Sequence, residues 1–556
     1  MADDEPVAGA RRARRSASER ESEPSLVRRE NGQTLVWNGI DVYPGPDPRE
    51  YARRKARIFS LSPRTLIFVP SIGLGYGLEE LLSRLAPDCC ILCVEAHQSV
   101  MALAIGEGLP QDPRLIMLRA DDEEIVARAI AEMGDLRYRR VVEVPLCAGY
   151  RLAPEVYARM RRTLEEQVRE YWRNRLTLIG LGSLQVRNLF SNIASFPEAG
   201  DFASLSTSMP VVVAGAGPSL EEALPAVRAV RRDVLLVAVD TALPRLSAES
   251  MLPDIVIALE AQTANLRDFL PSPRAGTVLL ACDLSSHPSA VRLFGVHARF
   301  FSSEFAPLHL FARMASAGIL PCPFPALGSV GVAAVNAALR LTSGEVFLTG
   351  LDLSYPRSIT HASGTPYHLA ALSETTRLSG PDGPSFRAMA ARKKTVVADK
   401  QGEPVLTDAV LMSYRESLRR LVSSAGQRVA DAGSTGLDLG AARITERELK
   451  ERVRGAASRC AHLEGSKDPL CSRDSARSFI KAEEAILRHG AILLRDALQS
   501  RSPSQECLQF LEDADYSWVH FPDAPNKAET GRSFLARVNA AVRYYAERLA
   551  KLESLL

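Results

Sequence analysis

The sequence predicts an α/β protein with a Rossmann-like N-terminal domain, a central doubly wound α/β domain and a helical C-terminal domain. Three observations carry that reading. The stretch 210–220, PVVVAGAGPSL, sets three β-branched residues before a Gly-rich turn and a helix start. Val211, Val212 and Val213 suit a buried strand, Gly215 and Gly217 allow a tight turn, and Ser219 to Glu222 has capping-box spacing. Next, apolar runs at 211–214, 234–239, 255–259, 277–281 and 346–349 alternate with helix-length segments, the order of a largely parallel sheet. Finally, the pattern from 441 to 556 is helical throughout, clearest at 478–498 and 531–556.

At 556 residues the chain exceeds what one core supports. Residues 1–32 mix both charges with Ser and Pro and read as a disordered tail. The domains that follow are 33–150 (Rossmann-like), 151–205 (a long amphipathic helical connector), 206–440 (central α/β) and 441–556 (helical). The 68 basic and 66 acidic residues leave a net charge of +2, which argues against bulk nucleic-acid binding. Cys89, Cys90 and Cys93 fall in a strand-like apolar run with no second ligand pair at zinc spacing. Buried free thiols in a reducing compartment are the reading, with no metal site. The charged N-terminus lacks the apolar segment of a signal peptide. Residues 314–339 carry no charge, but Pro321, Pro323 and Pro325 make them a loop leading into a buried helix rather than a membrane span. A soluble, cytoplasmic protein with no membrane partner is expected.

In the first α/β unit, 64–70 reads as a strand, Gly73-Leu74-Gly75-Tyr76-Gly77 as a turn, 78–85 as a helix and 91–94 as a second strand ending at Glu95. An acid at that point is the pattern that binds ribose hydroxyls, so a dinucleotide or methyltransferase site is open there. In the central domain ligands are expected at the carboxyl ends of the strands. Asp240 and Thr241 follow the second strand, Glu260 and Gln262 the third, and Asp352 follows Gly350 at the last. The turn at Gly215–Ser219 aims backbone N–H groups and a helix's positive end at one point, which suits a phosphate. Residues 393–408 read as a hairpin around Gln401-Gly402, followed by a helix at 410–421.

Five stretches together resemble the motility accessory factor (Maf) family, associated with glycosylation of flagellin. They are VVAGAGPSL at 212–220, VAVDTAL at 237–243, PDIVIALE at 253–260, Gly328-Ser329-Val330 before a small-residue helix, and LTGLDLSY at 348–355 with Thr360-His361-Ala362. The likeness spans most of 205–425, and the first unit with Glu95 is similar to the family's N-terminal domain. The GxGPSL opening and Gly-x-Asp-Leu turn are also similar to bacterial CMP-sialic acid sialyltransferases. The resemblance implies a CMP-activated nonulosonic acid, pseudaminic or legionaminic, transferred to Ser or Thr of flagellin. No cofactor is firmly implied, a divalent metal has no support, and a homo-oligomer is open. Gly215, Ala216, Gly217 and Ser219 would cradle the nucleotide phosphate. Asp240, Thr241, Glu260 and Gln262 would line the nucleoside and sugar, Gly328-Ser329 would receive the donor carboxylate, and Gly350 and Tyr355 would border the site. His361 is the candidate base, with His368 and Asp352 as competitors.

The chain departs from the pattern at three places. Lys400-Gln401-Gly402-Glu403-Pro404 lacks the histidine that sialyltransferases carry before a late helix, Glu260 stands where relatives have Asp, and Leu351 where many have Gln. A rival resemblance is to archaeal 6-hydroxymethylpterin diphosphokinases of the MptE-like family, which share GAGPSL and would need paired acids for ATP–Mg²⁺; here Leu259-Glu260-Ala261-Gln262 has one. A non-catalytic flagellin-binding accessory protein is the third reading.

Overall fold

The computed structural model describes residues 23–119, 138–270, 277–378, 380, 382–456, 463–466, 468–500, 502–524 and 531–556. Most of the charged N-terminal stretch, 1–22, and Cys460 lie outside the described residues. The chain divides into two compact units, 1–176 and 177–556.

The first unit opens with an antiparallel meander of β1 (Ser25–Arg29), β2 (Gly32–Trp37) and β3 (Ile40–Asp41). Residues 25–29, expected to belong to the tail, are therefore a strand held by pairing with β2. After α1 (Pro48–Ile58) come β4 (Thr65–Pro70), α2 (Leu78–Ser83), β5 (Cys90–Glu95), α3 (Gln98–Gly106), β6 (Leu115–Arg119) and β7 (Arg140–Glu143). The four strands form a parallel sheet in the order β6-β5-β4-β7. Every residue of β4 and β5 is buried, as parallel strands covered on both faces require. One face packs on the start of α4 (Pro154–Ile193), through Tyr157, Met160 and Leu164.

That 40-residue helix runs on into the second unit, where Val186, Leu189, Phe190 and Ile193 join a core. Here β8 (Gly200–Asp201) and β9 (Leu205–Ser206) precede the central alternation: β10 (Val211–Ala214), α5 (Ser219–Val230), β11 (Leu235–Val239), α6 (Leu243–Ala248), β12 (Ile255–Ala258) and β13 (Leu279–Asp283). Next are α7 (Pro288–Phe294), β14 (Ala298–Phe301), α8 (His309–Ser316), α9 (Val330–Leu341) and β15 (Val346–Thr349). An insert follows, with α10 (Pro366–Ser373), α11 (Asp382–Ala390) and the hairpin β16 (Lys394–Ala398) with β17 (Pro404–Asp408). The chain ends through α12 (Ala409–Ala425), β18 (Val429–Asp431), β19 (Ala442–Arg443), α13 (Glu446–Ala456), β20 (Glu464–Gly465), α14 (Arg473–Ser500), α15 (Gln505–Asp513) and α16 (Arg532–Glu553).

Nine strands form one parallel sheet, β19-β18-β15-β10-β11-β12-β13-β14-β8. The chain winds one way from β10 to β14 and the other way from β15 to β19, so the order reverses at the β10–β15 pair. Such a reversal opens a crevice at the strands' carboxyl ends. The uncharged run 314–339 ends in α9, buried at almost every position, and no helix among the described residues is long and apolar enough to cross a membrane.

The C-terminal helices do not form a core of their own. Ala476, Ile480, Leu487, Val538 and Leu549 share one apolar cluster with β13, β14 and the end of α4. Arg313 of α8 pairs through two bonds of 2.5 and 3.0 Å with Glu483 of α14, itself 1% exposed. A helical domain separate from 441 onward therefore gives way to helices that complete the central unit. The described cysteines are free, with Cys89, Cys90, Cys93, Cys147, Cys282 and Cys507 buried.

Candidate functional site

The carboxyl ends of β10, β11 and β15 and the start of α9 surround a cavity of about 450 Å³. Its wall includes Gly215, Ala216, Gly217, Thr241, Ser329, Gly350, Asp352, Tyr355 and His361, and also Val330, Gly331, Thr360, Tyr367 and Arg392. Ser219, Asp240, Glu260, Gln262 and Gly328 are not part of that wall.

The Gly-rich turn is built differently from the expected cradle. Gly215 N–H donates to Thr349 O and Gly217 N–H to Gly350 O, both at 2.8 Å. Ser219 donates from both N–H and Oγ to Asp352 Oδ2, each at 3.0 Å. The helix starts at Ser219 itself, so the capping box is not made and the serine hydroxyl is spent on β15's turn. Three N–H groups expected to face a phosphate are thus satisfied inside the protein. The glycines serve a close approach of two backbones. A Cβ at Gly215 would lie 2.2 Å from Gly350 O, and one at Gly217 would lie 2.1 Å from Asp352 Oδ2.

Asp352 is 2% exposed, and Thr435 Oγ1 donates to its other oxygen at 2.8 Å. Burial pushes its carboxyl up, against the hydrogen bonds from Thr435 and Ser219. Behind it Lys400 Nζ lies 2.6 Å from Asp431 Oδ2, both side chains buried, and donates to Gly433 O. The lysine in the segment lacking the expected histidine therefore anchors the loop after β18. Tyr355 donates its hydroxyl to Asp408 Oδ2 at 2.8 Å, with Lys394 Nζ 4.7 Å above its ring.

Helix α9 presents the cavity with an open end. Its cap residue Ser329 makes no side-chain bond to the first turn, and Val330, Gly331 and Val332 line the cavity. A first turn's N–H groups have no partner within their helix, so this is where an anion is best received.

The same wall holds His361, whose loop is tied to the turn by Ala362 N–H donating to Ala216 O at 2.9 Å. Its Nδ1 is sealed from solvent without a hydrogen-bond partner. The imidazole stacks on Tyr367, ring centres 4.3 Å apart and planes within 6°. Arg267 also lies over Tyr367, its guanidinium 4.4 Å from the ring centre. Burial first, and the Arg267 charge second, pull His361 down to about 4, so it is neutral at pH 7. His368 accepts Gly364 N–H at Nδ1, which fixes it within its own loop.

Beside the cavity lies a carboxyl cluster. Asp240 is 1% exposed, Oδ2 has no partner, and burial together with Asp268 and Glu260 pushes it up to about 8. Asp268, also 1% exposed, is raised to about 6, chiefly by burial, and burial raises Glu260. Gln262 is exposed. No group of three or more His, Cys, Asp or Glu among the described residues is arranged to hold a metal. Sequence reasoning missed Asp268, Tyr367, Arg267, Arg392 and Thr435, none of which stands at a strand end. Only the Thr435-Gly436 pair, before a turn with Gly436 at φ +100°, carried a local signal.

In the first unit the ribose-type pattern is filled by the protein. Glu95 accepts from Ser71 Oγ, Ile72 N–H, His97 N–H and Tyr157 OH at 2.8–3.1 Å. A Cβ at Gly73 would meet Tyr43 Oη at 2.5 Å, and one at Gly75 would meet Leu109 at 2.4 Å. The glycines admit these side chains, and the acid closes the turn.

A parallel sheet whose strand order reverses beside an open helix end defines a doubly wound α/β protein. Comparison with known proteins agrees with that class. Residues 185–358 match the family model described as 6-hydroxymethylpterin diphosphokinase MptE-like. An uncharacterized protein of Treponema pallidum (strain Nichols) is 26% identical over 563 residues, covering 96% of each chain. The Maf glycosyltransferase structure from Magnetospirillum magneticum AMB-1 superposes with a TM-score of 0.56 at 15% identity, over 96% of this chain and 89% of that one. The fold is thus shared along nearly the whole length.

Proposed function

We propose that this chain is a glycosyltransferase that moves a nonulosonic acid, sialic-acid-like and of the pseudaminic or legionaminic type, from a CMP donor to Ser or Thr hydroxyls of cytoplasmic flagellin. One observation carries the reading: the start of α9 and the neutral His361 line a single cavity at the sheet's reversal point. The shared fold with a Maf glycosyltransferase supports it.

A CMP-linked nonulosonic acid carries a phosphate and a carboxylate, and the α9 start with Arg392 offers the positive wall for such anions. His361 takes the proton of the acceptor hydroxyl at Nε2, the ring nitrogen that is not sealed in. The hydroxyl oxygen bonds to the sugar's anomeric carbon as that carbon's bond to the phosphate oxygen breaks. CMP departs with the electron pair, its charge held by the α9 N–H groups. An anionic donor beside His361 favours the imidazolium and raises its low pKa toward the working pH. Asp352 is a positioning residue that locks the turn, and Thr241 with Ala216 shapes the wall.

The family-model match favours one second reading, a 6-hydroxymethylpterin diphosphokinase-like transfer from ATP–Mg²⁺. Calorimetry separates the two. CMP should bind without metal, and binding of ATP–Mg²⁺ with none of CMP would sink the transferase. His361→Ala should cut transfer about 100-fold or more while leaving CMP affinity nearly unchanged. Equal transfer rates would remove His361 from the chemistry.

A further inference from the structure

Nineteen large hydrophobic residues are exposed among the described residues, and seven of them fall between 359 and 396. Leu378 is 92% exposed, Phe386 67%, Leu369 51% and Leu372 44%. The stretch is the insert between β15 and β18, and a soluble surface rarely gathers apolar side chains so densely without a partner. Helix α10 makes the point locally. Pro366 and Ala371 are buried, Tyr367 borders the cavity while 44% exposed, and Leu369 and Leu372 are exposed and apolar.

The two helices of the insert pack together. Helices α10 and α11 touch, and Arg387 of α11 pairs with Glu374 just past α10 at 2.6 Å. The insert supplies Thr360, His361, Tyr367 and Arg392 to the cavity wall, and Tyr367, which is among the exposed apolar residues, joins the two surfaces. Residues 356–398 hold six basic side chains and two acids; Arg357, Arg387, Arg392 and Lys394 pair with Glu222, Glu374 and Asp408, which leaves Arg377 and Lys393 to meet an acidic partner.

We propose that the outer face of 359–396 docks the protein acceptor, through a segment presenting apolar side chains flanked by carboxylates near the hydroxyl to be modified. The inference rests on the transferase reading. A second copy of the chain or an anionic lipid surface would use the same chemistry. Continuity with the cavity favours the acceptor, because a transferase must carry a polypeptide hydroxyl to His361.

The test uses the full chain with Leu369→Glu and Leu372→Glu together, neither residue lining the cavity. Initial transfer rates are measured against flagellin concentration, donor hydrolysis is measured without flagellin, and mass is measured by light scattering. The expected result is an acceptor KM raised about 10-fold or more, with kcat and hydrolysis within about 2-fold of the parent. Parent KM should also rise with added salt, as charge pairing requires. An unchanged acceptor KM beside normal transfer overturns the docking face while the transferase stands. Parent chain that neither hydrolyses donor nor transfers removes both. Loss of a parent dimer, or of binding to phosphatidylserine vesicles, with the acceptor KM unmoved assigns the face to those occupants and overturns the proposal. If the double variant does not fold, a photo-crosslinking residue at position 386 decides. A crosslink to flagellin upholds the docking face, and none refutes it.

Discussion

Asp240 and His361 pull the protein's stability in opposite directions with pH. Asp240 sits near 8 when folded, against about 3.9 for a free aspartate. The folded state then holds a proton that the unfolded chain has released, so this residue lowers stability as pH rises from about 4 to 8. His361 is held down to about 4 against about 6.5 unfolded, so its contribution is full above about 6.5 and is lost as pH falls toward 4. Asp240→Asn should flatten the alkaline decline of Tm, and His361→Asn should flatten the acidic one. A Tm–pH profile of each variant parallel to the parent's would refute the burial that drives both shifts. Gly217→Ala places a methyl group against the Asp352 carboxylate and should lower unfolding free energy by about 1–3 kcal/mol, read from denaturant melts. Strand-end placement made Asp240 and Asp352 legible in the sequence. That Asp352 would accept both Ser219 donors from 133 positions away was not, because no local spacing encodes it.

At the scale of elements, the long helix α4 shows what periodicity can and cannot say. Amphipathic spacing reads as a connector, and the helix is there from Pro154 to Ile193. Its buried amides do more than connect. Asn188 Nδ2 donates to Ala261 O and Ser285 O, and Asn192 Nδ2 donates to Leu284 O and Ser286 O, all at 2.8–3.0 Å. These bonds hold the loops after β12 and β13, next to Glu260. Asn192→Ala strands two buried carbonyls and should cost about 1–3 kcal/mol, measured by denaturant unfolding. Destabilisation below about 0.5 kcal/mol would mean water replaces the amide. The five apolar runs of the central sheet became β10, β11, β12, β13 and β15 with ends shifted by up to two residues. The expected hairpin is β16–β17. Strands β8, β18 and β19 were missed because two or three residues carry no period, and β14 because four residues, ARFF, show too little of one even after Gly295 closes α7.

For the molecule as a whole, the helical end reads as separate only while its partners are hidden. Glu483 takes Arg313 from a helix 170 positions earlier and the hydroxyl of Tyr516 besides, and β19 extends the central sheet itself. A chain ended at residue 440 should therefore lose its cooperative melt by circular dichroism; a sharp native-like transition would restore an independent domain. The cavity, by contrast, was half visible: strand ends, the Gly328-Ser329 start and Thr360-His361-Ala362 pointed to it, while Tyr367 and Arg392 lie in the insert beyond that motif. Its assigned chemistry, a sugar moved from CMP to flagellin, is tested most directly by the intact mass of flagellin from cells with and without this protein. The account predicts flagellin heavier by whole nonulosonic-acid increments when the protein is present, and by none with His361→Ala. Flagellin of identical mass in both cells would contradict it.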